Sequence, residues 1–466
     1  MSRGRDVVAI ASARVTGHFS RVGRHFGTSL PGMVAAGLSP GIAGRIARDL
    51  AHVSLVSGTN GKTTTSRLLT IILERTGRTV IANPSGANLA QSVTTSLVAR
   101  ATLTARVARR PAAGVFEVDE AALPRLAVEL PVTQLVLTNL FRDQLDRFGE
   151  TNLIVRRWAG MLELLDPSTS VVYCADDPRL AALVGAKSAG AVAFGISGSP
   201  RPDQAHLTSD ASECPMCGSP LSLGWVTVGH LGSYHCSRCG FARPRPIVHV
   251  HLGAQGLADQ HLSFHWADDP WPQVVRTRLI GPGNAYNAAA AVAAAAALGV
   301  DRRAAVAALA DVTPPFGRWE PIEIAGRQVV LCLVKNPASM DEVARVSSAA
   351  SIDTVLFAVN DAHADGRDVS WYWDVNPAAL IADRRFAIAG TRASDLHLRL
   401  KYGSTHGPGA ALEGFVGSFD RPYDALNRLI PETPRGGTLL VVATYTALLG
   451  LRATLVTMGL AEEMPT

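Results

Sequence analysis

The stretch Leu55-Val56-Ser57-Gly58-Thr59-Asn60-Gly61-Lys62-Thr63-Thr64-Thr65 decides how the chain is read. Ahead of it, Ala51 to Val56 is short, apolar and β-branched, the pattern of a buried strand. Behind it, Leu68, Leu69, Ile72 and Leu73 recur at helical spacing. A glycine-containing turn between a strand and a helix lets backbone N–H groups point into one concavity, with the helix N-terminus behind the phosphates. On this reading Gly58, Thr59, Asn60, Gly61 and Thr64 surround an ATP phosphate chain, Lys62 reaches its β and γ groups, and the Thr63 hydroxyl holds Mg²⁺. The interval from Gly58 to Gly61 is shorter than in the general loop, so only a subclass is matched. The bland alternative is a Gly/Asn turn before an ordinary helix. It does not require strand, loop and helix in this order, and all three are there.

Working outward, residues 51 to about 200 alternate strand-like and helix-like patterns. The runs at 79–82, 113–118, 133–138 and 170–174 are short, apolar and end in polar or acidic residues. That is the pattern of a parallel α/β sheet with ligands beyond the strand C-termini. Glu117, Asp119 and Glu120 close one such run, and Glu117 is the expected Mg²⁺ ligand, because Mg²⁺ takes few protein oxygens beside water and phosphate. Asn139, Arg142, Asp143 and Asp146 crowd the next strand-to-helix turn. A Pro-rich junction at 313–318 precedes a second, smaller α/β pattern with strand-like runs at 329–334, 354–359, 385–389 and 439–443.

Between about 205 and 247 the composition turns polar and carries Cys214-x-x-Cys217 and Cys236-x-x-Cys239. Four thiolates at this spacing saturate tetrahedral Zn²⁺ and leave no open position, so the site is expected to be structural. Cys174 and Cys332 sit in apolar runs and read as buried thiols, and His230 and His235 read as neighbours of the cysteines, not ligands. The loop Asn360-Asp361-Ala-His363-Ala-Asp365-Gly-Arg-Asp368-Val-Ser-Trp-Tyr-Trp-Asp374 combines four carboxylates, a histidine and three aromatics, which suggests a site or an interface.

Composition sets the limits. The 466 residues suffice for two or three domains, and 47% apolar with 18% charged residues describes a soluble chain with a sizeable core. The net charge of +5 is modest, and Lys62, Lys187, Lys335 and Lys401 are the only lysines, so the arginine bias is no nucleic-acid footprint. No secretory signal is evident, and the expected location is cytoplasmic. The basic, amphipathic arm from Met1 to Arg24 leaves peripheral contact with the inner membrane face open. The arm is expected to show helical patches broken around Pro31-Gly32 and Ser39-Pro40-Gly41, and the apolar stretches 285–300 and 438–460 read as buried elements, not membrane spans.

Together these motifs resemble the Mur ligase family, and within it the MurT branch. The short ATP loop, the Asn284-x-x-Asn287 turn on the adenine side and the Phe316-Gly-Arg318-Trp-Glu320 segment are similar to the family's own. Phe141 to Gly149, the Cys₄ insertion, Lys335-Asn-Pro-Ala338 and Asp365-Gly-Arg-Asp368-Val-Ser-Trp371 are similar to the branch. The resemblance implies an α/β fold in three parts: an arm over 1–50, a central ATP-binding domain over 51–313 with the zinc ribbon inserted, and a C-terminal domain over 314–466. It implies that Arg318 joins Asn284 and Asn287 at the nucleotide. It implies ATP-driven amidation of the D-glutamate α-carboxylate in lipid II, with ammonia from a GatD-like glutaminase to whose catalytic triad Asp368, or else Asp365, lends an aspartate. A stand-alone amino acid ligase of the same family is the alternative. Two positions depart from ordinary Mur ligases: Gln144 stands where many place a metal-binding histidine, and Gly283 where a histidine is common. The carbamylated lysine of the family has no counterpart, since no lysine lies between Lys62 and Lys187.

Overall fold

Two sheets organise the molecule. They are seen in a computed structural model that describes residues 2–22, 29–84, 86–107, 112–141, 151–185, 190–198, 211–312, 317–348, 350–366, 368–402 and 412–461. Arg142, Asp143, Gln144, Asp146, Lys187 and Phe316 lie outside these residues.

The first sheet is built from β1 (His52–Ser57), β2 (Thr79–Ala82), β3 (Ala112–Glu117), β4 (Gln134–Leu137), β5 (Ser170–Cys174), β6 (Val192–Ser197), β9 (Val248–Gln255), β10 (Gln260–Trp266) and β11 (Asp269–Thr277). Its order is β11-β10-β9-β6-β5-β4-β1-β3-β2. The strands from β2 to β9 pair in parallel, and β9, β10 and β11 finish the edge as an antiparallel meander. The central strands read as unbroken apolar runs because helices cover both faces: every residue of β3 and β4 is buried. After β1 the chain moves to β2 and β3 on one side and then crosses to β4 on the other. The loop following β1 therefore opens at the topological switch point, where parallel sheets hold ligands.

The helix Lys62–Arg75 leaves that loop, and the Ala-rich helix Pro282–Ala297 packs beside it. Small side chains let the second helix pass close, and Ala288 to Ala295 are all buried. A buried polar link pins it to the sheet: Ser54 Oγ donates to Gln134 Oε1 at 2.9 Å, and Gln134 Nε2 donates to the carbonyl of Ala294 at 3.0 Å.

The second sheet comprises β12 (Arg318–Ile324), β13 (Arg327–Leu333), β14 (Thr354–Ala358), β15 (Arg385–Ala389), β16 (Phe415–Phe419) and β17 (Thr438–Ala443), ordered β12-β13-β17-β14-β15-β16. Only the β12–β13 pair is antiparallel. A separate hairpin, β7 (Ser222–Val228) with β8 (Leu231–His235), belongs to the cysteine-bearing insertion.

The N-terminal segment forms helices Ser2–Val22, Leu30–Leu38 and Ile42–Ala47. The helices are interrupted around both expected points, just before Pro31-Gly32 and at Ser39-Pro40-Gly41. Pro31 occupies the first turn of the second helix, where its missing N–H costs nothing. Gly32 lets that helix approach the helix Ala90–Arg100, and its N–H donates to Thr95 Oγ1 at 2.9 Å. Ala9, Ile10 and Ala13 of the first helix are buried in the same core. The stretch 438–460 divides into β17 and the helix Tyr445–Thr457. Among the described residues no helix is long and apolar enough to cross a membrane.

Candidate functional site

The loop after β1 is held by its neighbour β4. Thr59 N–H donates to the carbonyl of Asn139 at 2.9 Å. Asn60 N–H donates to Asn139 Oδ1 at 2.8 Å, and Asn139 Nδ2 returns a bond to the Asn60 carbonyl at 3.0 Å. Thr138 Oγ1 donates to the same carbonyl at 2.8 Å. Asn139 thus shapes the loop, a role that its place at the end of β4 hinted at but did not specify. Gly58 and Gly61 have φ of 136° and 86°, and a side chain at either would run into Thr138 or Asn287.

Lys62 is buried at the start of its helix. Its Nζ donates to the carbonyls of Gly58 at 2.5 Å and Thr59 at 3.3 Å, and pairs with Glu120 at 2.9 Å. Lys335 arrives from the second sheet, and its Nζ donates to the same Thr59 carbonyl at 3.1 Å. Two ammonium groups on one carbonyl repel each other unless anions surround them, and Glu117 and Glu120 are buried there. Burial lifts the Glu117 carboxyl above the usual range, offset in part by Lys62, by a hydrogen bond with the Thr63 side chain, by Gly86 and by Lys335. Thr63 and Glu117 therefore present two hard oxygens side by side, the donor set that Mg²⁺ accepts together with phosphate and water. Of the three acidic residues at the end of β3, Glu120 holds Lys62, and Asp119 caps its own turn by accepting from Ala121 N–H at 3.1 Å.

A capping box aims Lys335. Asn336 Oδ1 accepts from Ser339 N–H at 3.0 Å, and Ser339 Oγ accepts from Asn336 N–H at 3.1 Å, at the start of the helix Pro337–Ser348. Asn336 Nδ2 then donates to Asn60 Oδ1 at 3.1 Å, so one short segment of the second sheet meets two residues of the phosphate loop.

From the loop a cleft runs between the sheets, lined among others by Asn284, Asn287, Arg318, Trp319 and Glu342. Asn287 Nδ2 donates to Asn284 Oδ1 at 3.2 Å, and Asn284 Nδ2 to the carbonyl of Ile280 at 2.8 Å. Glu342, which sequence reasoning missed, accepts from Gly283 N–H at 2.7 Å, and burial raises its carboxyl while Arg318 opposes the shift. A Cβ on Gly283 would come within 2.5 Å of that carboxylate, so the glycine and Glu342 form a matched pair.

Part of the cleft wall belongs to the cysteine-bearing hairpin, whose tip contributes Val228 and Leu231. Thr227 and Tyr286 hydroxyls are 2.6 Å apart, and Tyr286 donates to Asp176 at 2.7 Å. Arg243 also pairs with Asp176 at 2.7 Å, and Tyr234 donates to the Ala175 carbonyl at 2.9 Å. His230 is fully buried, 3.3 Å from Asp177, and packs on Phe141 with ring centres 4.8 Å apart. It is not part of the cysteine cluster, and its partners are the end of β5 and the wall of the cleft. Arg345 donates to the carbonyl of Val226 at 3.2 Å, joining the hairpin to the second sheet as well.

Cys214, Cys217, Cys236 and Cys239 converge, with Sγ separations of 3.6 Å for Cys214–Cys239 and for Cys217–Cys236. Ligands of tetrahedral Zn²⁺ at about 2.3 Å stand about 3.8 Å apart, so the cluster is compatible with zinc. Cys174 and Cys332 are buried, and burial pushes both thiols up. All six cysteines are accounted for, and none is an exposed, activated thiol outside the cluster.

The last candidate loop separates its two aspartates. Asp365 is buried and accepts from Thr446 N–H at 2.7 Å, from the Thr446 hydroxyl at 2.5 Å and from Ala362 N–H at 3.1 Å. Asp368 is exposed and accepts from Ser370 N–H at 2.9 Å, next to the 3₁₀ turn Ser370–Asp374 and the exposed Trp373.

Comparison with known proteins agrees with this geometry. Residues 56–236 match the Mur ligase middle domain, and residues 333–448 match the MurT ligase C-terminal domain. The lipid II isoglutaminyl synthase (glutamine-hydrolyzing) subunit MurT of Staphylococcus aureus (strain COL) is 30% identical over 407 residues, 87% of this chain and 89% of the relative. The subunit of the same name from Streptococcus pneumoniae is 32% identical over 370 residues, 77% of this chain and 78% of the relative. Among solved structures, a pseudomurein peptide ligase type C from Methanothermus fervidus superposes with a TM-score of 0.65 at 21% identity, covering 87% of this chain and 79% of that one. MurF from Acinetobacter baumannii gives 0.62 at 20% identity, covering 91% and 80%.

Proposed function

We propose, from the premise that this chain belongs to the MurT family of Mur ligases, that it is the ATP-consuming subunit of a lipid II isoglutaminyl synthase. The chain is a ligase, and the reaction assigned to it has two steps. A carboxylate oxygen of the stem-peptide D-glutamate attacks the γ-phosphorus of ATP, giving an acyl phosphate and ADP. Ammonia then attacks the acyl carbon, phosphate leaves with the bonding pair, and a proton is lost from nitrogen to give the D-isoglutamine amide.

The observation that carries this reading is the convergence of Lys62 and Lys335 on the Thr59 carbonyl. Two ammonium groups from two different sheets flank the place where the phosphate loop would hold the transferring group. Phosphoryl transfer needs such positioned positive charge more than it needs covalent chemistry. Thr63 and Glu117 would hold Mg²⁺, which supplies further charge to the phosphates. Asn284, Asn287 and Arg318 would hold the nucleoside end. The four cysteines would hold a structural Zn²⁺.

Ammonia is assigned to a GatD-like partner, because outside the four-cysteine cluster the chain has only the buried Cys174 and Cys332, whose thiols are pushed up and unsuited to glutamine hydrolysis. The exposed Asp368 is the residue proposed to face that partner, whereas Asp365 spends its carboxylate on Thr446 and Ala362. A lipid II amidation assay with ATP tests the reading. Amidation from ammonium chloride by the chain alone, and from glutamine only with a co-expressed glutaminase, is expected. ATP-dependent attachment of an amino acid by the chain alone would make it a stand-alone ligase instead.

A further inference from the structure

We propose that His249, His251 and His265 form a second metal site, a three-imidazole site for a borderline divalent transition ion such as Zn²⁺. It is built on β9 and β10 and shares no residue with the four-cysteine cluster. Strand periodicity sets His249 and His251 on one face of β9, two residues apart. In the antiparallel register His265 is the direct partner of His249, and Ser263 is the partner of His251. Three imidazoles therefore meet on a single face without any loop rearrangement.

The rings are already close. His251 and His265 have centres 4.4 Å apart, His249 and His265 lie stacked at 5.3 Å, and His249 and His251 are at 5.4 Å. One ring nitrogen from each can be chosen so that all three lie within 4.8 Å of one another. Zn–N bonds of about 2.0 Å place tetrahedral ligand nitrogens about 3.3 Å apart, a gap that small rotations of imidazole side chains close. The donors also select the ion. The group has three imidazoles and no carboxylate, which suits zinc, nickel or copper and not the oxygen-seeking magnesium or calcium.

One further feature favours a ligating role over a solvated polar face. The Ser263 hydroxyl lies 3.1 Å from His265 Nε2, the kind of outer hydrogen bond that fixes which nitrogen of a ligating histidine faces the metal. His251 is exposed, so a fourth position stays open to solvent. An ion here would clip β9 to β10 at the antiparallel edge of the first sheet.

The test is zinc stoichiometry of the full chain, stripped of metal under reducing conditions and titrated with Zn²⁺ alone. Two equivalents are expected, one tight and one weaker, the weaker not displaced by a large excess of Mg²⁺. His251→Ala and His265→Ala are each expected to reduce the count to one. The cobalt-substituted variants should keep the intense thiolate charge-transfer band of the cysteine cluster. A wild-type count of one overturns the proposal, and so does a variant that still binds two. His251 is the more exposed position, so His251→Ala decides alone if the other variant does not fold.

Discussion

Lys335 Nζ lies 3.1 Å from the carbonyl of Thr59, a hydrogen bond that joins the second sheet to the phosphate loop of the first. Since Lys62 uses the same carbonyl, the second cation is in place only when the two sheets approach. Lys335→Ala is therefore expected to lower kcat for ATP-dependent amidation by about 10²–10³-fold, the usual loss of one transition-state charge donor, with a smaller change in KM for ATP. Steady-state kinetics with ammonium chloride reads both. A rise in KM at unchanged kcat would mean that Lys335 only helps to bind nucleotide.

Glu120 and Lys62 form a buried pair at 2.9 Å. Breaking a buried pair from one side leaves the other charge uncompensated and costs about 3–5 kcal/mol. Glu120→Ala is expected to destabilise the protein on that order, and added ATP should recover more stability in this variant than in the wild type, because phosphate replaces the missing anion. Thermal unfolding with and without nucleotide measures it. Equal ATP shifts in the two proteins would place Lys62 outside phosphate contact.

The hairpin that carries the cysteines also walls the cleft through Val228 and Leu231. Its attachments to Asp176, Tyr286 and Arg345 transmit any loosening of its base to that wall. Cys236→Ser, or chelation of zinc, is expected to weaken nucleotide binding by roughly tenfold or more, the scale of lost supporting contacts around a site. Equilibrium binding of a fluorescent ATP analogue checks this independently of amidation. Unchanged affinity after proven metal loss would confine the ribbon to a role away from the nucleotide.

Asp177 gives a pH prediction. Burial would raise its carboxyl, but His230, Arg179 and the Leu140 N–H bond at 2.7 Å win, and it ends below the usual aspartate value. A depressed folded-state value means that its stabilisation is complete above the unfolded value, near 4, and fades as pH falls through the folded one. Asp177→Ala should cost about 3 kcal/mol at pH 7, since it strands buried donors, and the gap to wild type should narrow below about pH 4. Urea midpoints across that range test the sign; a gap that widens in acid would refute it.

The strands and the phosphate loop were legible because each is a local pattern. β1, β3, β5, β14, β15 and β17 begin and end within a residue or so of their apolar runs. Gly58 and Gly61 likewise stand in the strand, turn and helix order that their spacing announced. The rest of the site is made by neighbours distant in sequence. Asn139 matters because β4 lies beside β1, Lys335 because a capping box aims it across the cleft, and Glu342 because Gly283 leaves room for it. No one-dimensional pattern encodes those meetings. His230 makes the same point: no pattern in the sequence announces that it sits in space against Asp177 and Phe141.

Asp365 and Asp368 stand three residues apart and have different chemistry. The buried Asp365 ties its loop to the start of the helix Tyr445–Thr457 through Thr446, so Asp365→Asn should destabilise the C-terminal sheet by about 1–3 kcal/mol whether or not a partner is present. Asp368 accepts from Ser370 N–H and is solvent-exposed, close in sequence to an exposed tryptophan suited to an interface anchor. A carboxylate that orients a partner's histidine acts on glutamine hydrolysis and not on ATP chemistry. Asp368→Asn is therefore expected to abolish most glutamine-dependent amidation in the complex, by about 10²-fold or more, and to leave ammonium-dependent amidation within about twofold of wild type. Co-purification of the two subunits separates a lost catalytic contribution from lost association. Glutamine-dependent activity that survives in an intact Asp368→Asn complex would remove this residue from the partner's site and leave the loop as an ordinary structural turn.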